Sequence, residues 1–214
     1  KQDFWKEVEE IAKPDAICAS NTSWLSITGI SKKLKDKGRF AGMHFWNPPH
    51  IIPLVELIKG DETKDETIDI LFELAKKIDK EPVVVKKDAP GFIGNRLQFA
   101  VFREALNIVE QGIADIEDVD RAMKYGPGFR YPIIGPLQTA DLGGLDTFYF
   151  ISLYLFNEIS DAKKPQNILK DLIDKNHLGT KTKKGFYDYS NGKDEEAIKY
   201  RDKMFFKMLK YIHE

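Results

Sequence analysis

The chain has 214 residues, a formal net charge of −1, 42% hydrophobic and 31% charged side chains, and a single cysteine. That length allows one large domain or two small ones with a true core, and the near-neutral charge excludes a general attraction to nucleic acid or anionic lipid. One cysteine excludes an intrachain disulfide and a thiolate-rich metal site and fits a cytoplasmic setting, while no apolar run approaches the ~20 residues of a membrane helix.

KQDFWKEVEEIA (1–12) places Phe4, Val8, Ile11 and Ala12 at helical spacing, and Pro14 ends that helix. AICAS (16–20) reads as a short buried strand followed by a polar loop, Asn21-Thr22-Ser23. RFAGMHF (39–45) and PLVELI (53–58) read as two more strands, separated by the turn Asn47-Pro48-Pro49. TKDETIDILFELAKKIDK (63–80) is an amphipathic helix with Ile68, Leu71, Phe72, Ala75 and Ile78 on one face, and Thr63 with Glu66 forms a capping box. PVVVKK (82–87) is a β-branched strand.

Past Asp88-Ala89-Pro90-Gly91 the pattern is helical. Leu97, Val101, Ala105, Ile108 and Val109 line a long helix ending near Gly112, and Asp115 opens a shorter one over IEDVDRAMKYG. Two helical pieces in 135–159 flank Gly143-Gly144, another helix covers 165–176, a basic loop occupies 180–189, and the last segment, 194–214, is helical again. The expectation is an α/β region over 1–87 and an almost all-α region over 88–214, divided at the Asp88–Gly91 turn.

The α/β region has no G-x-G-x-x-G turn of the kind that opens a doubly wound nucleotide-binding sheet. GPGFRY (126–131) follows a helix rather than a strand and is rejected as a dinucleotide fingerprint. Because the chain starts within what reads as a helix and not on Met, earlier residues of the natural protein are expected before Lys1.

The stretch HFWNPPHIIPLVEL (44–57) carries the strongest chemical signal. A glutamate inside an apolar run is costly unless paired, and the Asn47-Pro48-Pro49 turn can fold Glu56 back onto His44. A carboxylate on the imidazole Nδ1–H fixes the tautomer and leaves the other nitrogen as a base. The alternative is a strand-end histidine and a solvent-facing glutamate. The hydroxyls of the Ser20–Ser23 loop can hold a substrate oxygen or a cofactor amide, or simply cap the next helix. Asn95 can reach a ligand or satisfy backbone groups. No pair of ligands has zinc-like spacing, so no metal site is expected. Cys18 is expected to pack in its strand, and the lysines at 181, 183 and 184 to be solvated.

Taken together, ASNTSWLSI, FAGMHFWNPPHIIPLVELI, PVVVKKDAPGFIGNRL, EALNIVEQGIADIEDVDRAM and KKGFYDY resemble the 3-hydroxyacyl-CoA dehydrogenase family in order and spacing over about residues 1–190. The resemblance implies a two-domain, NAD-dependent enzyme. Residues 1–87 would be the C-terminal part of a Rossmann-type NAD-binding domain. Residues 88–214 would be a helical, 6-phosphogluconate-dehydrogenase-like domain that closes the active site and forms a homodimer. It puts the catalytic histidine on His44, its partner glutamate on Glu56, the substrate-oxygen serine on Ser23 and the supporting asparagine on Asn95. Cofactor contacts fall on Asn21, Ser23, Asn47 and Lys1. The implied reaction is oxidation of (S)-3-hydroxyacyl-CoA to 3-oxoacyl-CoA with NAD, in fatty acid β-oxidation. The phosphate loop and adenine-ribose residues would precede Lys1, in a segment of roughly a hundred residues judged from ~30-residue βαβ units.

Two departures point elsewhere. Fatty-acyl members usually have a second Phe where Trp46 stands and no arginine at Arg130. These features resemble relatives acting on small free 3-hydroxy acids, such as gulonate or carnitine dehydrogenases. Arg130 would then clamp a substrate carboxylate, or else serve as an ion-pair partner. A non-catalytic dimeric structural relative is the remaining alternative.

Overall fold

The structure, a computed structural model, describes residues 1–212; His213 and Glu214, the end of the last expected helix, lie outside the described residues. The chain packs as two compact units, residues 1–98 and 99–214.

The first unit is built on a four-stranded sheet, β1 (Cys18–Ser20), β2 (Phe40–Phe45), β3 (Leu54–Lys59) and β4 (Glu81–Val85), in that spatial order. β1 runs parallel to β2 and β3 to β4, whereas β2 and β3 form an antiparallel pair. The apolar side chains divide by the period of two that a pleated strand imposes. Phe40 and Ile58 pack on one face with Ile27, Ile30 and Phe92. Ala41, Met43, Val55 and Leu57 pack on the other with Ile68, Leu71 and Ala75. Helix α2 (Ile27–Ser31) therefore covers one face and α3 (Asp65–Lys77) the opposite one, as a sheet buried on both sides requires. Asp88 Oδ2 accepts from Ser26 Oγ at 2.7 Å and from Thr28 N at 2.9 Å, tying the segment after β4 to the start of α2.

Two local expectations change. Helix α1 (Gln2–Ile11) keeps Val8 and the following Ala12 half-buried, but Phe4 and Ile11 are exposed, while Trp5 packs edge-on against Phe40 at 5.0 Å. Thr63 does not cap α3, whose N-cap is Lys64 without a side-chain bond. Instead its hydroxyl accepts from Gly60 N at 2.8 Å and donates to the Phe40 carbonyl at 2.6 Å. A buried carbonyl at the start of β2 needs a donor more than the first turn of a half-exposed helix does. Helix α2 is the helix that follows the Ser20–Ser23 loop, and a 3-10 turn over Lys37–Arg39 lies in a stretch where no element was expected.

Helix α4 (Gly94–Glu110) starts in the first unit and continues into the second. The second unit adds α5 (Ile116–Tyr125), a single turn α6 (Pro127–Arg130), α7 (Pro136–Gly143), α8 (Leu145–Glu158), α9 (Asn167–Asp174) and α10 (Lys193–Ile212). Gly144, at φ +92°, makes the break between α7 and α8. Side-chain and backbone groups of α4 anchor the later segments. Glu104 Oε2 accepts from Ser160 N at 2.7 Å, and the Arg103 carbonyl accepts from Gln166 Nε2 at 2.7 Å. Tyr187 donates to Asp120 Oδ2 at 2.9 Å, fastening the 180–189 loop to α5. Burial and the bond to Asp120 push the Tyr187 phenol up to about 12. No helix among the described residues is long and apolar enough to cross a membrane.

Candidate active site

The β2–β3 register makes His44 and Glu56 direct cross-strand partners. Opposed residues on an antiparallel pair share one face, and this is the face that also carries Phe40, Ile58 and Phe92. His44 Nδ1 donates to Glu56 Oε2 at 2.8 Å. Both side chains are buried, Glu56 completely. An ionised carboxylate accepts only, so the imidazole must carry its proton on Nδ1, which leaves Nε2 as an acceptor.

A buried carboxylate needs its lone pairs filled. Glu56 Oε2 accepts a second bond, from Trp46 Nε1 at 3.1 Å. Glu56 Oε1 accepts from the backbone amides of Ile93 at 2.9 Å and Gly94 at 3.0 Å. These amides open α4, so the carboxylate sits at a helix N-terminus, where unpaired N–H groups and the helix dipole favour an anion. Burial pushes the Glu56 carboxyl up. The bonds from His44, the Gly94 and Ile93 amides and Trp46 outweigh it and hold the group below its ordinary value of 4.5. The turn that aims these amides holds Phe92 at φ +51°. That conformation costs a bulky residue about 1–3 kcal/mol, and the buried Phe92 ring packs edge-on to His44 at 5.6 Å.

On its outer side, His44 Nε2 lies 3.0 Å from Ser23 Oγ, whose hydroxyl donates to it in this tautomer. Ser23 is exposed in the loop that leaves the carboxyl end of β1. Asn95 Nδ2 donates to the Ser23 carbonyl at 3.2 Å, and Asn21 Oδ1 accepts from Phe45 N at 2.9 Å, joining this loop to the end of β2. Thr22 Oγ1 accepts from Leu25 N at 3.2 Å, so local turn bonds also shape the loop.

The structure thus brings His44, Glu56, Ser23 and Asn95 into one hydrogen-bonded group, with Asn21 beside it. Asn47 is exposed in the following turn. Lys1 is exposed at the start of α1, where its carbonyl accepts from Trp5 N at 3.0 Å. Arg130 belongs to the second unit and is exposed at the end of α6. Cys18 is half-buried in β1, and burial pushes its thiol up, away from a reactive thiolate. Sequence reasoning missed three donors: the Trp46 indole and the amides of Ile93 and Gly94. An N–H-bearing ring two residues after the histidine was a usable signal for the first. The amides leave no side-chain signal.

The arrangement can move a proton between Nε2 and a group near Ser23 Oγ while Glu56 stabilises the imidazolium. For NAD, the exposed Ser23 hydroxyl and Asn21 carboxamide at the carboxyl end of a parallel strand fit the nicotinamide end.

Residues 1–89 match the family model described as 3-hydroxyacyl-CoA dehydrogenase, NAD binding domain, and residues 91–189 match its C-terminal domain. A 3-hydroxybutyryl-CoA dehydrogenase of Clostridioides difficile is 43% identical over 191 residues, covering 89% of this chain and 66% of its own length. A 5-formyl-3-hydroxy-2-methylpyridine 4-carboxylate 5-dehydrogenase of Mesorhizobium japonicum is 35% identical over 190 residues, covering 89% of this chain and 62% of its own. The chain therefore spans less than two thirds of these curated relatives. A crystal structure of a 5-dehydrogenase of that pyridine carboxylic acid superposes with TM-score 0.95 at 32% identity, over 99% of this chain and 69% of that one.

Proposed function

This chain belongs to the 3-hydroxyacyl-CoA dehydrogenase family, and from that premise we propose that its protein oxidises (S)-3-hydroxyacyl-CoA to 3-oxoacyl-CoA with NAD, using His44 and Glu56 as the catalytic pair. The observation that carries this reading is the buried His44–Glu56 bond with Nε2 turned to Ser23. Nε2 takes the proton of the substrate C3 hydroxyl. Glu56 holds Nδ1–H and stabilises the imidazolium that results. The Ser23 hydroxyl and the Asn95 carboxamide orient the reacting oxygen and the neighbouring carbonyl. NAD, when bound, supplies the hydride acceptor; Asn21, Ser23, Asn47 and Lys1 are the residues of this chain that would hold its nicotinamide end. Residues 1–87 serve the cofactor and 88–214 the substrate and a homodimer interface, in a cytoplasmic protein of fatty acid β-oxidation.

A second reading, oxidation of a small free 3-hydroxy acid, is favoured by Trp46 and by the likeness to the pyridine carboxylate dehydrogenase. The exposed Arg130 would supply a guanidinium for the carboxylate. Retention of both His44 and Glu56 argues against a purely structural relative. NADH formation measured with 3-hydroxybutyryl-CoA, gulonate, carnitine and 3-hydroxybutyrate separates the readings, with the CoA thioester expected to give the highest kcat/KM. In that assay His44→Gln is expected to lower kcat by about 10²–10⁴, the usual contribution of a positioned base. Near-normal turnover of this variant would remove His44 from the role.

A further inference from the structure

We propose that Trp46 is a positioning residue: its indole N–H shares the charge of Glu56 Oε2 with the imidazole and thereby sets the pH at which His44 takes up its proton. This rests on the reading of His44 and Glu56 as the proton-handling pair.

Oε2 has two donors, His44 Nδ1 at 2.8 Å and Trp46 Nε1 at 3.1 Å, while the amides of Ile93 and Gly94 occupy Oε1. The Trp46 ring stands 6.1 Å from the His44 ring, tilted by 57°. A phenylalanine here could fill much of the space but would donate nothing to Oε2. The backbone opposite is matched to the larger ring. A Cβ on Gly94 would lie 2.3 Å from Trp46 Cζ2 and 3.0 Å from its Cε2. The indole therefore lies against the residue whose own amide holds the other carboxylate oxygen, and Gly94 leaves room for it.

Among the described residues, His44 meets the Glu56 carboxylate from β3, the Ser23 hydroxyl from the loop after β1 and the Phe92 ring from the turn before α4. β4 presents Val83 as the register partner of Glu56, and the turn before α4 presents backbone amides. A hydrogen bond to the charged form of a carboxylate lowers its affinity for a proton and weakens its hold on the imidazolium. Without the indole donor the pair keeps its proton to higher pH. Since a base must be unprotonated to act, the acid limb of kcat/KM moves up with it.

Heteronuclear NMR of the whole chain tests this without turnover, using Trp46→Phe and Gly94→Ala. In the wild type, the indole proton that disappears in Trp46→Phe is expected to shift in step with the His44 titration. In Trp46→Phe the His44 midpoint is expected to rise by about one pH unit, the scale of one hydrogen bond to a charged group. Gly94→Ala, by crowding the indole off Glu56, should move it in the same direction, and in the Trp46→Phe background should add little. An unchanged midpoint in the single variants, or a Trp46 indole proton indifferent to the histidine titration, overturns the proposal. If Trp46→Phe does not fold, the wild-type indole response and Gly94→Ala decide. Absence of NADH formation would remove the dehydrogenase reading and leave this result standing.

Discussion

Glu56 is the residue on which the site turns, because its buried charge is balanced by donors from three separate places in the chain: His44, Trp46 and the Ile93–Gly94 amides. The neutral isostere exposes that dependence. In Glu56→Gln the side-chain NH₂ must face either the two amides or the His44–Trp46 side, so at least one donor loses its acceptor. The expected loss is about 1–3 kcal/mol at pH 7, the cost of leaving a buried group unsatisfied. The sign of the pH dependence follows from the direction of the shift. The Glu56 carboxyl is held below its ordinary 4.5 in the folded chain. Its contribution is therefore complete above 4.5 and is lost as the pH falls below 4.5 through the folded value. Urea denaturation of both proteins across pH 7 to 3 should show the stability gap closing below 4.5. Other depressed carboxyls, such as Asp36 beside Arg39, are common to both chains and cancel in the difference. A gap independent of pH would mean that Glu56 is not ionised in the fold. In the sequence, the His44–Glu56 pairing was legible because an acid stood where the alternation asked for an apolar residue. Its backbone donors were not, since Ile93 and Gly94 act through amides that any residue but proline would carry.

The hairpin of β2 and β3 converts that pairing into geometry, and its tolerance for change is set by how closely α2 packs on it. A Cβ on Gly42 would lie 2.8 Å from Ile58 Cδ1 and 2.9 Å from Ile27 Cδ1. Gly42 and Ile58 are register partners, on the same face as His44 and Glu56. Gly42→Ala is therefore expected to destabilise the first unit by about 1–3 kcal/mol through overpacking. Because Ile58 lies two residues from Glu56 along β3, the variant should also reduce kcat. Chemical denaturation alongside NADH kinetics checks both, and an unchanged denaturation midpoint would show that α2 can retreat. The strands and α3 were readable from period and β-branching, and the fold-back of Glu56 onto His44 from Asn47-Pro48-Pro49; the antiparallel direction of that pair was not. The inward face of α1 was not, because Phe4 and Ile11 have the same helical spacing as the residues that do pack; only the position of Phe40 decides that Trp5 turns inward. Thr63 misled for a related reason: a capping pattern is local, and the Phe40 carbonyl that claims its hydroxyl lies 23 residues away in sequence.

At the scale of the molecule the two units differ in how much they bury. The first has a core on both faces of its sheet. In the second, among the described residues, Leu106 is the one apolar side chain buried to core level. Helix α8 is apolar around its circumference, yet Tyr149, Phe150, Tyr154 and Phe156 are each more than 60% exposed. A helix hydrophobic on all sides belongs in an interior. At about 200 Å² per aromatic ring, these four leave on the order of 500 Å² of surface to be covered. Leu137 and Leu142 on α7 are exposed as well, with Leu145 and Leu153 on α8. A patch of this size is at the upper end of what a monomer exposes and is often functional, and about 800 Å² per partner suffices for a stable interface. A second copy satisfies the surface most simply, because a two-fold axis lets one apolar helix cover its own equivalent. Light scattering of the wild type is then expected to give twice the chain mass. If the proposed homodimer forms through α8, Phe150→Glu combined with Phe156→Glu should give a soluble monomer of lower thermal stability, since the apolar helix would lose its cover. A wild type that stays at the chain mass across concentration would mean that another surface covers α8. A double variant that stays dimeric would move the interface off these two rings.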